Sequence, residues 1–363
     1  MLHFFYTPYQ FTKGLYERYE SANDEIVKYA SKYLGSFVPT HLSHFNSSQV
    51  TDRAEGILLG HPTWDGTFDS SHGNFKVINN WVKDNALTAA QKCHPNTYIF
   101  MPWLPIFLPE ARMPFAAEQL AAARLIFAIC GEFWFKKTKQ LADNSIQSQV
   151  KSKIVRLDMG CAGHLLPPKT NYKKRIRRNF LHVSHMSSAK NIPLMLKSIR
   201  GLDVTLFIAS RYLRKSGPAT VKFSINGGTT ESCLIESLGS ISNNDPKVNH
   251  FIIENCDFYI HTSTYDAQAT AILENCVRGL VPMVTPESGF NCPQAIILSH
   301  NPKHNQEIIQ NAMHMSEEEY AYRSRGVREF VLKHHSWEKI YGRVWQVIQA
   351  DQNAQPYDTE NIH

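Results

Sequence analysis

Two carboxylates flank a predicted helix start in the second half of the chain, at Asp266 and Glu274. Asp266 precedes the helix and Glu274 lies inside it, eight positions later. The first backbone N–H groups of a helix have no intrahelical acceptor and bind anions, and here they belong to Gln268, Ala269 and Thr270. If all eight steps were helical, the carboxylates would stand roughly 12 Å apart. That distance is about the reach from a nucleotide's ribose, past its phosphates, to a sugar.

The sequence around these carboxylates predicts a strand, a loop, a helix and a second strand. Asp257 begins the β-rich run DFYIH, and VPMVT after the helix is typical of a short buried strand. Apolar residues recur at i, i+3, i+4, i+7 and i+8, which indicates one face of a helix. They are Ala269, Ile272, Leu273, Cys276 and Val277. Gly279 stands where a helix C-terminal glycine is expected. At this point an ordinary αβ unit with two solvated acids remains the alternative.

A second group of candidate anion ligands follows the predicted strand NFLHVSH, which ends at His185. Lys190 comes five residues later, at the start of the helical sequence NIPLMLKSIR. A cation at a helix N-terminus opposes the helix dipole, and an anion bound between the two would remove that conflict. His185 can hydrogen-bond a phosphate, although it carries a full charge only when protonated.

These motifs resemble the donor-binding signature of retaining GT-B glycosyltransferases, family 4 (group 1). The family pattern is an acid, seven residues, a Glu, a helix end with Gly-x-Pro, an apolar strand and a glycine-containing loop. Here the acids are Asp266 and Glu274, the helix end runs from Gly279 to Pro282, and the loop is 288–290, Ser-Gly-Phe. The chain departs from the family in having Asp for the first Glu and one extra residue before the proline.

The resemblance extends to the second group of candidate anion ligands. The family's Gly-Arg-x-x-x-x-Lys corresponds to Ser184 and His185, followed by Lys190 at the expected spacing. It implies that Lys190, His185 and the helix start near Thr270 stabilise a donor diphosphate. By the same resemblance, Glu274 accepts the ribose hydroxyls and Asp266 the hydroxyls of the donor sugar. The remaining predicted donor-binding residues are Ser184, Gly239, Gln268, Ala269, Thr270, Ser288 and Gly289.

The acceptor side has weaker candidates. His61 follows the predicted strand GILLG, and loops at the carboxyl ends of parallel strands carry binding groups in α/β folds. A structural role for a lone histidine after a strand is the alternative. Trp103 follows the strand TYIFM, where many family members have a histidine.

Strands alternate with helices along most of the 363 residues, which predicts parallel sheets and two domains. The resemblance implies the GT-B fold: two Rossmann-like parallel-sheet domains facing a central cleft, with a C-terminal crossing helix. We predict an acceptor domain over 1–168, a donor domain over 169–335, and over 336–363 a helix that returns to the first domain, followed by a loose tail.

The composition and motifs argue against membrane-spanning, secreted and metal-binding classes of protein. Hydrophobic content of 43% and charged content of 19% are typical of a soluble globular protein, and no apolar run has the ~18–20 residues of a membrane span. The N-terminus lacks a signal-peptide pattern, so we predict a cytoplasmic protein. The seven cysteines are scattered and no histidine motif predicts a metal site. The net charge of +6 is concentrated in a basic run at Lys169, Lys173, Lys174, Arg175, Arg177 and Arg178.

That basic run is either a solvated linker or a contact with anionic lipid headgroups on the inner face of the membrane. No recognised nucleic-acid-binding motif accompanies it. The function that the resemblance implies is transfer of a sugar from a UDP- or GDP-sugar to a hydroxyl of a glycan or lipid-linked acceptor, with retention and without a metal or other cofactor. The alternatives are a non-catalytic partner subunit with this fold and a nucleotide-sugar epimerase.

Overall fold

The structure is a computed structural model. It describes residues 1–6, 16–35, 37–38, 48, 50–60, 68–69, 74–75, 86–102, 120–133, 147–173, 178–217, 219–224 and 230–359. The chain forms two compact units. Unit 1 comprises residues 1–16, 20–160 and 337–363, and unit 2 comprises residues 17–19 and 161–336.

Unit 1 contains a parallel sheet built from short apolar strands. In chain order its elements before residue 160 are β1 (Leu2–Phe5), α1 (Ala22–Tyr33), β2 (Phe37–Val38), β3 (Gly56–Gly60), β4 (Phe68–Asp69), β5 (Asn74–Phe75), α2 (Ala86–Cys93), β6 (Thr97–Met101), β7 (Ile126–Ile129), α3 (Gln147–Lys151) and β8 (Ile154–Leu157). Among the described residues the sheet order is β2-β1-β3-β6-β7-β8, and every neighbouring pair is parallel. Strands β1, β3, β6 and β7 are buried along their whole length, as expected for strands covered on both faces.

Unit 2 contains a second sheet of the same kind. Its elements are β9 (Asn179–Val183), α4 (Ile192–Ile199), β10 (Thr205–Ala209), β11 (Ala219–Ser224), β12 (Thr230–Gly239), α5 (Pro246–Asn255), β13 (Phe258–His261), α6 (Thr270–Val277), β14 (Val281–Val284), β15 (Ile296–Ile297), α7 (Pro302–Met313) and α8 (Glu317–His334). In the described part of the unit, the strand order is β11-β12-β10-β9-β13-β14-β15. All pairs are parallel except β11 with β12. The prediction of two parallel-sheet α/β domains is therefore confirmed.

The core of unit 2 fixes β9 beside β13. The rings of Phe180 on β9 and Phe258 on β13 stack with centroids 5.2 Å apart, and both residues are fully buried. The two residues are also register partners across the parallel pair. Because neighbouring parallel strands end at the same edge of a sheet, the loops after β9 and β13 emerge side by side.

The last helix, α9 (Trp337–Gln352), is part of unit 1. The hydroxyl of Tyr341 donates to the carbonyl of Ile26 over 2.5 Å, and the ring of Trp337 stacks on Tyr29 with centroids 6.2 Å apart. The chain enters and leaves unit 2 at neighbouring positions. Cys161 N–H donates to the carbonyl of His335 over 2.7 Å, and Cys161 forms an isolated parallel bridge with Ser336.

Several elements differ from the sequence-based expectation. The sequence over 13–34 predicts the first helix, but α1 begins at Ala22 because the Ser21 side chain accepts the N–H of Asp24 and caps it there. The sequence over 74–85 also predicts a helix, but its first two residues form β5, which pairs antiparallel with β4. The basic sequence 211–220 predicts a loop, but its last two residues already belong to β11, which forms a hairpin with a longer β12 than expected. Among the described residues, no helix is long and apolar enough to cross a membrane.

Candidate functional site

Lys190 and Asp266 meet at the carboxyl ends of β9 and β13. Lys190 ends a 3₁₀ turn, Ser188–Lys190, and its Nζ contacts Asp266 Oδ2. Both side chains are about one-sixth exposed, at 15% and 16%. The two loops are also joined through their backbones, because Thr264 N–H donates to the carbonyl of Ala189 over 2.9 Å. The structure thus brings two predicted site residues, 76 positions apart, into one ion pair.

Asp266 has a second partner in His261, the last residue of β13. His261 Nε2 lies 2.9 Å from the same carboxylate oxygen, Oδ2. Burial alone raises the pKa of Asp266, but the hydrogen bond from His261 and the positive charge of Lys190 lower it well below its usual range. Burial lowers the pKa of His261 against the opposing effect of Asp266. At neutral pH an ionised carboxylate therefore accepts a hydrogen bond from a neutral imidazole.

A second buried imidazole, His182, organises the end of β9. Its Nδ1 lies 2.8 Å from the carbonyl of Ile260 and its Nε2 lies 2.8 Å from Ser184 Oγ. Burial and the neighbouring His261 lower the pKa of His182 to about 3, so the ring is neutral. A carbonyl can only accept, so Nδ1 carries the proton and Nε2 accepts from the Ser184 hydroxyl. Ser184 Oγ in turn accepts the N–H of Met186 over 3.1 Å. Ser184 thus shapes the loop that leads to Lys190.

The loop after β14 supports the segment around Asp266. Asp266 N–H donates to the carbonyl of Glu287 over 3.2 Å. Gln268 has a φ of +51° and is fully buried, with its N–H donating to the Ser288 carbonyl over 2.5 Å and its side chain donating to the Gly289 carbonyl over 3.3 Å. The expectation of a free N–H at Gln268 is therefore wrong, because the Ser288–Gly289 loop takes it. This loop fixes the backbone between Asp266 and α6.

The start of α6 still presents donors. No side chain of the described residues caps it at Ala269. Within the described part of the chain, no acceptor faces the N–H groups of Ala269 and Thr270, whereas Ile272 N–H already donates to the Ala269 carbonyl over 2.9 Å. Two of the three predicted N–H groups thus remain available to an anion beside Lys190 and Asp266.

Glu274 lies further along α6 and contacts a residue that the sequence did not suggest. The hydroxyl of Tyr19 donates to Glu274 Oε1 over 3.1 Å. Asn244 holds Tyr19 in place, because its side chain accepts the Tyr19 N–H over 2.8 Å and donates to the Tyr19 carbonyl over 2.6 Å. Tyr19 belongs to unit 2 although it lies near the start of the chain. No local sequence signal predicts such a contact.

A buried arginine lies one turn after Glu274. The guanidinium of Arg278 donates to the side-chain oxygens of Asn243, Asn249 and Asn275 over 2.5–3.3 Å. Burial lowers the pKa of Arg278, and the carboxylate of Glu274 opposes that effect. Arg278 thus joins α5 and α6 and contributes positive charge beside Glu274. Arg278 follows the last residue of α6, where the helix dipole favours a cation. That position was the sequence signal for a positive charge here.

Two further predicted residues are His185, predicted as catalytic, and Gly239, predicted to bind the donor. Part of His185 is exposed, and burial of the rest of its side chain, together with the positive charges of Arg211 and Lys190, lowers its pKa. Gly239 ends β12 with a φ of +67°. Its N–H donates to Ser237 Oγ over 3.3 Å and its carbonyl accepts the N–H of Ser210 over 2.9 Å. The backbone groups of Gly239 thus already have partners within unit 2.

The acceptor-side candidates His61 and Trp103 lie outside the described residues. The basic run is described only in part, because 174–177 also lie outside. Its two ends are buried, and the Lys169 and Arg178 side chains lie 3.8 and 3.5 Å from Asp257 Oδ1. Those two residues therefore stabilise unit 2 and cannot reach lipid headgroups, which corrects that part of the expectation. Over the described ranges, no group of three or more His, Cys, Asp or Glu side chains could hold a metal ion.

The fold is shared with solved glycosyltransferases. No protein-family model and no curated protein sequence matches the chain. HepE from Anabaena, solved in complex with UDP-glucose, superposes with a TM-score of 0.57 at 11% identity, over 96% of this chain and 100% of that one. A glycosyltransferase from Rickettsia africae gives 0.55 at 12% identity, over 97% and 98%.

A third structure extends the comparison to a synthase. The α,α-trehalose 6-phosphate synthase from Burkholderia multivorans gives a TM-score of 0.58 at 9% identity, over 93% of this chain and 78% of that one. At such low identity the likeness establishes the fold alone. The two parallel-sheet units and these neighbours together show that the chain has the fold of the GT-B glycosyltransferases.

Proposed function

We propose that unit 2 binds a nucleotide-diphospho-sugar and that the protein transfers its sugar to a hydroxyl acceptor with retention of configuration. The observation that carries the proposal is the convergence of Lys190 and Asp266 beside the N-terminus of α6, with Glu274 one turn inside the same helix. HepE, whose fold this chain shares, is solved with UDP-glucose. The proposed donor is a UDP- or GDP-sugar, and the proposed acceptor is a glycan or a lipid-linked saccharide.

The chemical role of the site is to stabilise the leaving group. The negative charge on the diphosphate rises as the bond between the sugar and the phosphate oxygen breaks. Lys190 Nζ and the N–H groups of Ala269 and Thr270 can donate to the phosphate oxygens where that charge develops. His185 adds a hydrogen-bond donor at the surface of the same loop. In this proposal protein groups neutralise the diphosphate, and no metal or other cofactor takes part.

The two carboxylates have separate roles in this scheme. Glu274 accepts the ribose hydroxyls and Asp266 accepts hydroxyls of the donor sugar, one on each side of the diphosphate. Asp266 Oδ2 already accepts from Lys190 and His261, so Asp266 is an orienting group and not a nucleophile. The acceptor oxygen then bonds to the anomeric carbon on the face that the phosphate leaves, and the departing phosphate oxygen takes the acceptor's proton.

Ligand binding to the purified chain tests the proposal. Isothermal titration with UDP, GDP and a panel of their sugars should show saturable binding of one nucleotide and of its sugar. A thermal-shift screen of the same compounds should raise the melting temperature by mass action. Binding of neither nucleotide would contradict the proposal and favour a non-catalytic partner subunit.

A product assay separates the enzymatic alternatives. Incubation of the preferred nucleotide sugar with an acceptor mixture should release the nucleoside diphosphate and form a glycoside of unchanged anomeric configuration, as measured by NMR. Repeating the reaction with EDTA tests the proposal that the transfer needs no metal ion. An isomerised nucleotide sugar formed without any acceptor would indicate an epimerase instead.

A further inference from the structure

The histidine behind Asp266 has a defined tautomer. His261 is fully buried, and among the described residues its Nδ1 has no hydrogen-bond partner. An orphaned buried N–H costs more than an orphaned lone pair, so the proton belongs on the other nitrogen. Nε2 then donates over 2.9 Å to Asp266 Oδ2, which as an ionised carboxylate oxygen can only accept.

The position of that donor is set by the sheet. The ring of His261 lies beside those of His182 and Tyr259, with centroids 5.8 and 6.1 Å away and interplanar angles of 26° and 18°. All three side chains are fully buried. His182 is itself anchored to the Ile260 carbonyl. The imidazole of His261 therefore cannot turn without disturbing β9 and β13.

Lys190 approaches the same carboxylate oxygen by a different route. Its ammonium reaches Oδ2 on a flexible four-carbon chain from a 3₁₀ turn that precedes α4. Among the described residues no group forms a hydrogen bond with the second oxygen of Asp266, Oδ1. One carboxylate oxygen thus has both protein partners, and the other is left to accept hydroxyls.

A bound diphosphate would compete with Asp266 for Lys190, because a phosphate carries more charge and more acceptor oxygens than a carboxylate. If Lys190 moved to the phosphate, Asp266 would keep only the partner that the sheet fixes. We propose, building on the function proposed above, that His261 is a positioning residue. It holds Asp266 Oδ2 so that Oδ1 faces the donor sugar after Lys190 has transferred to the diphosphate.

Three substitutions of His261 test this role. The amide nitrogen of His261→Gln can reach the position of Nε2, that of His261→Asn reaches only the Nδ1 side, and His261→Leu provides no donor. Turnover of the nucleotide sugar should fall at least about tenfold in His261→Leu and His261→Asn, with partial recovery in His261→Gln. The Kd for the bare nucleoside diphosphate should stay within about twofold in all three, since Asp266 is assigned to the sugar.

The outcomes separate this proposal from the proposed function. If the wild-type protein turns over a nucleotide sugar and His261→Leu does so equally well, His261 has no positioning role and the proposed function stands. Equal recovery by Asn and Gln, or a parallel loss of nucleoside diphosphate binding in every variant, would also overturn it. If the wild-type protein binds no nucleotide or nucleotide sugar, the proposed function fails and the role of His261 fails with it.

NMR of the protein without substrate tests the tautomer assigned to His261. In protein labelled with ¹⁵N-histidine, the ring signals of His261 are those missing from His261→Gln. They should show a neutral ring protonated at Nε2 between pH 6 and 8, because burial keeps the second proton off. A proton on Nδ1 in that range would overturn the assignment, since Nε2 could then no longer donate to Asp266.

Discussion

The hydroxyl of Tyr19 donates a hydrogen bond to Glu274 Oε1 over 3.1 Å, although 255 positions separate the two residues. Tyr19 is buried, and the Asn244 side chain forms hydrogen bonds with both its N–H and its carbonyl. A segment near the start of the chain thus fixes one oxygen of the carboxylate that we assign to the ribose. The other oxygen keeps its capacity to accept ribose hydroxyls.

Tyr19→Phe removes this hydrogen bond and keeps the buried ring. We expect the Kd of the nucleoside diphosphate to rise about twofold to tenfold, because one positioning hydrogen bond contributes about 0.5–1.5 kcal/mol. Isothermal titration measures the change. In a Glu274→Gln background the same substitution should add little, since the two residues act through one contact. Tighter binding by Tyr19→Phe would mean that Tyr19 competes with the ribose.

Lys190→Ala should reduce turnover of the nucleotide sugar by about 10²-fold or more, as loss of a group that stabilises the leaving group does. Lys173, an exposed lysine outside the cluster, provides the matched control, and Lys173→Ala should keep wild-type turnover. Steady-state release of the nucleoside diphosphate measures both variants. An active Lys190→Ala protein with an unchanged melting temperature would contradict the assignment of Lys190 to the diphosphate.

The two carboxylates should differ in what they bind. Glu274→Ala should weaken both the nucleoside diphosphate and the intact donor by about 1–3 kcal/mol, as loss of a charged hydrogen bond does. Asp266→Ala should leave affinity for the bare nucleotide nearly unchanged and lose turnover. Titrations of both variants with the nucleotide and its sugar make the comparison. The opposite pattern would show that the donor binds in the reverse orientation.

Replacing either of two glycines by alanine should change the stability of the protein, in opposite directions. Gly279 closes α6 with a φ of +92°, and a Cβ there would lie 2.8 Å from Ser324 Oγ, so Gly279→Ala should destabilise the protein by about 1–2 kcal/mol. Gly342 lies inside α9, and a Cβ there meets nothing within 4 Å. Gly342→Ala should therefore stabilise it by about 0.5–1 kcal/mol. Thermal unfolding distinguishes the two, and a loss of stability in both would contradict the open surroundings of Gly342.

The convergence of Lys190 and Asp266 was predictable because it follows from local patterns and one rule of parallel sheets. The apolar runs defined β9 and β13, and polar residues after neighbouring parallel strands meet at one edge. His261 offered a comparable signal, as a polar residue at the end of an apolar strand. It was not predicted as a site residue because a lone histidine at the end of a strand also fits a purely structural role.

Other features could not be predicted because they depend on contacts between distant segments. The backbone of Gln268 is turned by the Ser288–Gly289 loop, so its N–H is lost to a carbonyl twenty residues away. The contact of Tyr19 with Glu274 requires knowledge of how residues 17–19 pack on unit 2. The hairpin of β11 with β12 is different, because it is local and its apolar and polar residues alternate over 219–224. It was not predicted because the basic sequence before it favours a loop that continues into that strand.

The bridge between Cys161 and Ser336 makes unit 2 an insertion within unit 1, and this imposes an order of completion during synthesis. All of unit 2 leaves the ribosome before α9, because its last residue precedes Trp337. Unit 1 remains incomplete until α9 supplies Tyr341 to the Ile26 carbonyl. Translation therefore finishes the inner unit first, and the part of α1 that packs against α9 stays unburied until that helix emerges.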